Sequence, residues 1–238
     1  VLPLLCHDVP WALGGLYRVL PVDAAEGTIP NATYPGAVSG ASVNAAWLVR
    51  DLANITIAQL LDASEDGADR LLAGCTGSWP AVIMHGRMDG EPFVNGLFDP
   101  QAGGWGARVD GDGIDTAGII STPKGRIANV ETNELTMPVL YLFRRETPDS
   151  GGPGEFRGGL GGEAAWIPHG TDEEITYLLS TFGQFLPQSL GVSGGYPGAP
   201  TWYQVVSDTD VESVLAGGEI PDRDAALALG DARTAGPK

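Results

Sequence analysis

Three groups of residues carry side chains whose types and spacing could do chemistry. His7 and Asp8 stand in tandem in CHDVPW. An imidazole beside a carboxylate can orient a general base or ligate a metal, but neighbours in a strand point to opposite faces, so the pair makes a site only with convergent partners. A hydrogen-bonded structural His next to a turn Asp is the plainer alternative. Arg144, Arg145 and Arg157 flank SGGPGEFRGG. Glycines let a backbone approach a ligand or another chain closely, and guanidinium groups bind phosphate or carboxylate. The loop matches neither the P-loop nor the dinucleotide pattern, so a structural turn that positions the arginines is the favoured reading. Glu131 and Glu134, with Asn129 and Asn133, form a polar cluster that could face a cleft. Two carboxylates can divide acid and base work when their surroundings separate their pKa values, yet a solvated loop explains them as cheaply.

Other motifs read as structural. DGDGID, Asp110 to Asp115, resembles the start of a calcium loop, but position 121 is Ser where the bidentate Glu belongs, so a tight acidic turn is expected. Cys75 follows Gly74 with no His nearby in sequence and is expected to be a buried structural thiol. Ser150 lies in DSGG and not in a nucleophile elbow. His85 and His169 are isolated and read as satisfied structural residues.

With 30 acidic against 13 basic residues the formal net charge is -17. Nucleic acid and anionic membranes both demand a cationic surface, so neither is an expected partner. No apolar run approaches the roughly 18 residues of a membrane span. Cys6 and Cys75 make no disulfide framework, which fits a cytoplasmic protein.

The elements that must position these residues are short. The 35 Gly and 18 Pro, against 18% charged residues, predict a loop-rich α+β fold, mainly short strands packed around one long buried helix. Ser42 is the candidate N-cap of that helix, from Val43 to Asp62, with Trp47, Leu48, Leu52, Ile55, Leu60 and Leu61 covering much of its circumference. A second helical stretch reaches Leu72. Strands are expected at VIMHGRM, PFVNGLF, Met137–Glu146, Ile175–Leu186 and Thr201–Ser207, and a short helix near Ala225–Leu229 before a fraying terminus. Residues 1–207 form the main unit and 208–238 a polar C-terminal extension.

The segment Pro138–Gly162, PVLYLFRRETPDSGGPGEFRGGLGG, resembles the hallmark of the hydantoinase B/oxoprolinase family. CHDVPW, the EGTIPN turn, PGAVSGASV at Pro35–Val43, GGWGARVDGDG at Gly103–Gly113 and LGVSGGYPG at Leu190–Gly198 follow in the family's order. The resemblance covers most of residues 1–207 and implies the C-terminal portion of a B-type subunit. The start, VLPLLCHDVPW, reads as the interior of a domain, and motifs resembling the family's metal site are expected in an upstream half, as is any divalent metal. The family's Gly-rich tail is replaced here by DARTAGPK.

Proteins of this kind work beside a hydantoinase A-like subunit that carries ATP and Mg. They include 5-oxoprolinases, hydantoin- and lactam-hydrolysing enzymes, and acetone and acetophenone carboxylases, in which ATP phosphorylates an amide or enol oxygen. The resemblance therefore implies a small-molecule enzyme component that is inactive alone, with His7, Asp8, Glu131 and Arg157 as the candidate catalytic residues. The LYLFRRE strand leans the reading to carboxylation of a ketone through a phosphorylated enol. ATP-dependent hydrolysis of a cyclic amide, or a non-catalytic scaffold subunit, are the alternatives.

Overall fold

Asp89 and Gly90 reverse the chain between β1 (Ala81–Met88) and β2 (Glu91–Leu97), both with positive φ, 53° and 79°. Asp-Gly is the pair that a two-residue hairpin turn demands, because its twist matches that of the flanking strands. The computed structural model describes residues 10, 14, 15, 18, 21–39, 45–76, 81–99, 103–118, 120, 127–181 and 183–235. His7 and Asp8 lie outside the described residues, as do Cys6 and the proposed cap Ser42.

Among the described residues, three small antiparallel sheets carry the fold. The first has the order β2–β1–β5, with β5 at Thr176–Ser180. The second pairs β3 (Val139–Glu146) with β4 (Gly162–Pro168), and the third pairs β6 (Tyr203–Ser207) with β7 (Asp231–Ala235). Alternation places Val82 and Met84 of β1 on one face, opposite Leu97 and Leu179 in register, where Val139 and Met137 complete a cluster of buried apolar residues. Trp166 closes it, edge-on to Tyr177 at 6.3 Å. Where the sequence predicts a fraying end, residues 231–235 instead pair with β6 in five registered positions, so the backbone on either side of residue 208 belongs to one sheet. Among the described residues no helix is long and apolar enough to cross a membrane.

The mixed α+β, loop-rich class is as expected, but its long helix is not the buried axis. Helix α1 (Ala46–Asp62) buries Asp51, Asn54, Ile55 and Ala58 and leaves Leu52 68% and Leu60 66% exposed, with Leu48 also outward. The reason is hydrogen bonding. The buried stripe serves the backbone of residues 73–76: Arg50, held by Asp51, donates to Thr76 O at 2.7 Å, and Asn54 Nδ2 donates to Ala73 O at 3.5 Å. A polar stripe that satisfies buried carbonyls outranks a leucine stripe that gains only apolar area.

This arrangement makes Asp51 a pH sensor of stability. Burial pushes its pKa up from 3.8 to about 6, outweighing the attraction and hydrogen bond of Arg50, and Oδ2 accepts no hydrogen bond. The folded chain thus holds a proton that the unfolded chain has released between those values, and stability falls as pH rises from about 4 to above 6, by roughly 2–3 kcal/mol from this group. Asp51→Asn is expected to flatten that slope, gaining about 2 kcal/mol on the wild type between pH 4.5 and pH 8. Urea unfolding at the two pH values reads the difference.

Candidate functional site

The glycines quoted in the sequence do their work in pairs of loops. A Cβ on Gly104 would lie 1.9 Å from Gly159 O, one on Gly113 2.0 Å from Trp105 O, and one on Gly159 2.1 Å from Ile114 O. Likewise Gly106 meets Ala73 O at 2.2 Å and Gly151 meets Gly158 O at 2.1 Å. The GGWGARVDGDG and RGGLGG loops are therefore packed backbone against backbone. Hydrogen bonds lock them: Gly159 N donates to Trp105 O at 2.8 Å, Gly113 N to Arg157 O at 2.8 Å and Thr116 N to Leu160 O at 2.8 Å. The 73–76 segment joins the same lattice, since Ala73 N donates to Ala107 O at 2.9 Å and Thr76 N to Gly104 O at 2.9 Å.

The polar residues of these loops hold the lattice. Arg157 meets Asp115 with two parallel bonds, Nη1 to Oδ1 at 2.7 Å and Nη2 to Oδ2 at 3.0 Å, while Leu160 N donates to the same carboxylate at 2.8 Å. The Arg157 hydrogen bond leads in holding the Asp115 pKa below its usual value. Arg157 N also donates to Asp112 Oδ1 at 2.9 Å. DGDGID is thus an acidic turn whose Asp112 and Asp115 carboxylates clamp the RGG loop. Ser150 is a pin of the same sort, donating to Thr147 O at 2.7 Å and accepting from Gly161 N at 2.8 Å. Cys75 is 2% exposed, its thiol pushed up to about 11 by burial, which keeps it protonated and unreactive.

A second network lies across β3. Asp99, 5% exposed at its side chain, accepts from Arg144 Nη1 at 2.8 Å and from the Tyr141 hydroxyl, which itself accepts from Asn133 Nδ2 at 2.8 Å. Burial first, and the Asp99 carboxylate next, push the Tyr141 pKa upward, so the phenol stays a donor. Asn133 and Glu134 belong to α2 (Val130–Thr136), and Glu134 Oε1 accepts from Tyr141 N at 2.8 Å beside the bulge between Tyr141 and Phe143. The polar cluster expected as a cleft or a solvated loop is therefore a helix tied to a strand. Glu131 sits in its first turn, exposed to solvent. His85 and His169 are both exposed.

The loops, β4, β6 and the short helices α3 (Val211–Ala216) and α4 (Arg223–Ala228) enclose a cavity of about 1140 Å³. Leu142, Phe143, Trp166, Trp202, Val206 and Leu227 give it apolar walls, and Gly104, Gly152 and Gly159 present backbone to it. Sequence reasoning singled out the loops that frame this space but missed two of its polar residues, Glu163 and Arg223. Among the described residues no three His, Cys, Asp or Glu converge as a metal set.

Residues 1–229 match the family described as hydantoinase B/oxoprolinase. The chain belongs to that family. Within it, the chain is 31% identical over 125 residues to the acetone carboxylase alpha subunit of Xanthobacter autotrophicus, covering 52% of this chain and 16% of that one. It is 37% identical over 119 residues to the acetophenone carboxylase delta subunit of Aromatoleum aromaticum, covering 49% and 17%. An uncharacterised protein of Methanocaldococcus jannaschii is 32% identical over 200 residues, covering 82% of this chain and 31% of its own length. The chain thus spans less than a third of each of these relatives. The nucleotide-free structure of acetone carboxylase, solved for the mechanism of ATP-dependent acetone carboxylation, superimposes with a TM-score of 0.65 and 26% identity over 75% of this chain and 25% of that one.

Proposed function

We propose that this chain forms one wall of the substrate chamber in an ATP-dependent ketone carboxylase and is not active alone. The observation that carries the reading is the likeness to acetone carboxylase over three quarters of the chain, joined to the apolar cavity behind the glycine loops. A carboxylase has to keep water from an activated enol, and an apolar chamber with rigid backbone walls suits that demand better than a hydrated cleft.

The reading puts ATP and Mg on a hydantoinase A-like partner. A nucleotide phosphate does not fit beside Gly104, Gly113 or Gly159, because the space next to those glycines is filled by backbone atoms, Gly159 O, Trp105 O and Ile114 O among them. Within this chain, His7 and Asp8 are assigned acid–base work in the composite site. Arg157 is assigned a positioning role, holding the RGG loop through Asp115. Glu131, on the exposed first turn of α2, is the remaining candidate catalytic residue.

The test is turnover by the whole co-purifying assembly: ATP consumption with bicarbonate and acetone or acetophenone, against lactams or hydantoins. Ketone-dependent carboxylation is expected, and His7→Ala or Asp8→Ala should lower it about 100-fold or more. Turnover with lactams or hydantoins alone would replace the reading by cyclic-amide hydrolysis. Unchanged activity in His7, Asp8, Glu131 and Arg157 variants would make the chain a scaffold.

A further inference from the structure

Helix α1 turns its charges inward. Arg50 and Asp51 lie on the face toward residues 73–76, their side chains 12% and 11% exposed, and no other charged residue stands between Ala46 and Leu61. The opposite face is therefore uncharged over nearly five turns, on a chain of formal net charge -17. Its outermost residues, Val49, Ala53, Thr56 and Leu60, follow at steps of four, three and four, and Ala46 and Ala63 continue the alternation at either end. All six are exposed. Alternating steps of three and four are the spacing of a seam between two helices. Thr56 brings no unpaired polar group to it, because its hydroxyl donates to Leu52 O at 2.7 Å.

The seam matches itself when run backwards. About a two-fold axis between Asn54 and Ile55, Ala53 meets Thr56 of a second copy, Val49 meets Leu60, and Ala46 meets Ala63. Small side chains then face small ones at the centre and at both ends, with Val on Leu in between, so the layers have even width and the helices can lie close. A parallel pair would set Leu60 on Leu60 and Ala53 on Ala53, layers of unequal width. It would also bring the exposed acidic stretches that follow α1, with Glu65 and Asp66, side by side. The antiparallel pair sends those stretches to opposite ends. A contact between identical copies requires a patch complementary to itself, and this face meets that condition.

We propose that α1 pairs antiparallel with α1 of a second copy of this chain. A single helix seam buries less than the roughly 1,200–2,000 Å² of a stable interface, so the dimer is weak, with a Kd on the order of 10 µM. No residue of α1 lines the large cavity. The contact thus stands apart from the carboxylation reading and is measured without ATP or substrate, so failure of one leaves the other untouched.

Sedimentation velocity of the full chain from about 1 µM to about 200 µM should carry the wild type from monomer to dimer. Ala53→Glu places a carboxylate from each copy at the centre of the seam and should weaken pairing by at least about tenfold. Ala53 is exposed, so the variant should melt like the wild type. Register is read by oxidation: Ala53→Cys mixed with Thr56→Cys should give a disulfide-linked pair, and either alone little. A wild type that stays monomeric throughout, or an Ala53→Glu variant that dimerises as before, would overturn the proposal. So would Ala53→Cys linking to itself more than to Thr56→Cys, which would make the pair parallel. Loss of a different co-purifying polypeptide on Ala53→Glu, with the wild type monomeric, would assign the face to that polypeptide instead.

Discussion

Gly159→Ala is expected to destabilise the fold by more than about 4 kcal/mol. The added Cβ would stand 2.1 Å from Ile114 O and 2.5 Å from Ile114 C, which are backbone atoms with no rotamer to retreat into. Relief would mean parting the two loops and losing Gly159 N to Trp105 O and Thr116 N to Leu160 O together. Overpacking a close-packed site ordinarily costs about 1–3 kcal/mol. Adding two severed backbone bonds takes the expected loss above about 4 kcal/mol, a large share of the roughly 5–15 kcal/mol of an ordinary domain. Gly111→Ala is the matched control: it lies in the same glycine-rich stretch, has no atom within 4 Å of its added Cβ, and should express and melt like the wild type. Soluble yield and thermal melting of the two variants side by side decide the matter, and a normal melting curve for Gly159→Ala would mean the loops are not interlocked.

The second large effect is expected at Asp99. Removing its carboxylate in Asp99→Ala strands the Arg144 guanidinium, which among the described residues keeps Ala128 O at 2.6 Å, and takes the acceptor from the Tyr141 hydroxyl. Breaking a buried ion pair from one side costs about 3–5 kcal/mol, because the partner charge remains. Arg144 is 27% exposed, so water softens the loss and about 3 kcal/mol is expected at neutral pH. Asp99→Asn, which keeps an acceptor for one of the two donors, should fall between Ala and the wild type. Urea midpoints for the three proteins give the order, and equal midpoints would assign the network no structural weight.

How far the sequence could be read depended on whether a segment's fate is decided locally. The strands β1, β2, β3 and β6 were legible because apolar residues run or alternate between turn signals. VETNELT was not legible as α2, since its polar residues gain their value only from contacts with Tyr141, a strand away. Strand β4, GEAAWIP, hides behind a glycine run and is defined by its pairing with β3. Periodicity found α1 but misjudged its orientation. It counts leucines, whereas Asp51 and Asn54 decide which stripe turns inward through bonds that Arg50 and Asn54 make to residues 73–76.

The same limit applies to the site. The glycine loops announced themselves by composition, and Arg157 by its place in FRGG, but its pairing with Asp115 could be guessed only once the two loops were known to meet. Glu163 and Arg223 come together from the start of β4 and the start of α4. The one local signal for Glu163 was a charge immediately after GGLGG, near the start of a strand whose centre is Ala, Ala, Trp and Ile.

The inverted packing of α1 has a colloidal consequence. Leu48, Leu52 and Leu60 face water on a polypeptide of formal net charge -17. In dilute buffer, repulsion between like-charged molecules holds such stripes apart. At about 0.15 M salt the screening length shrinks to about 8 Å while the leucines lose none of their attraction, so cohesion between copies strengthens with ionic strength.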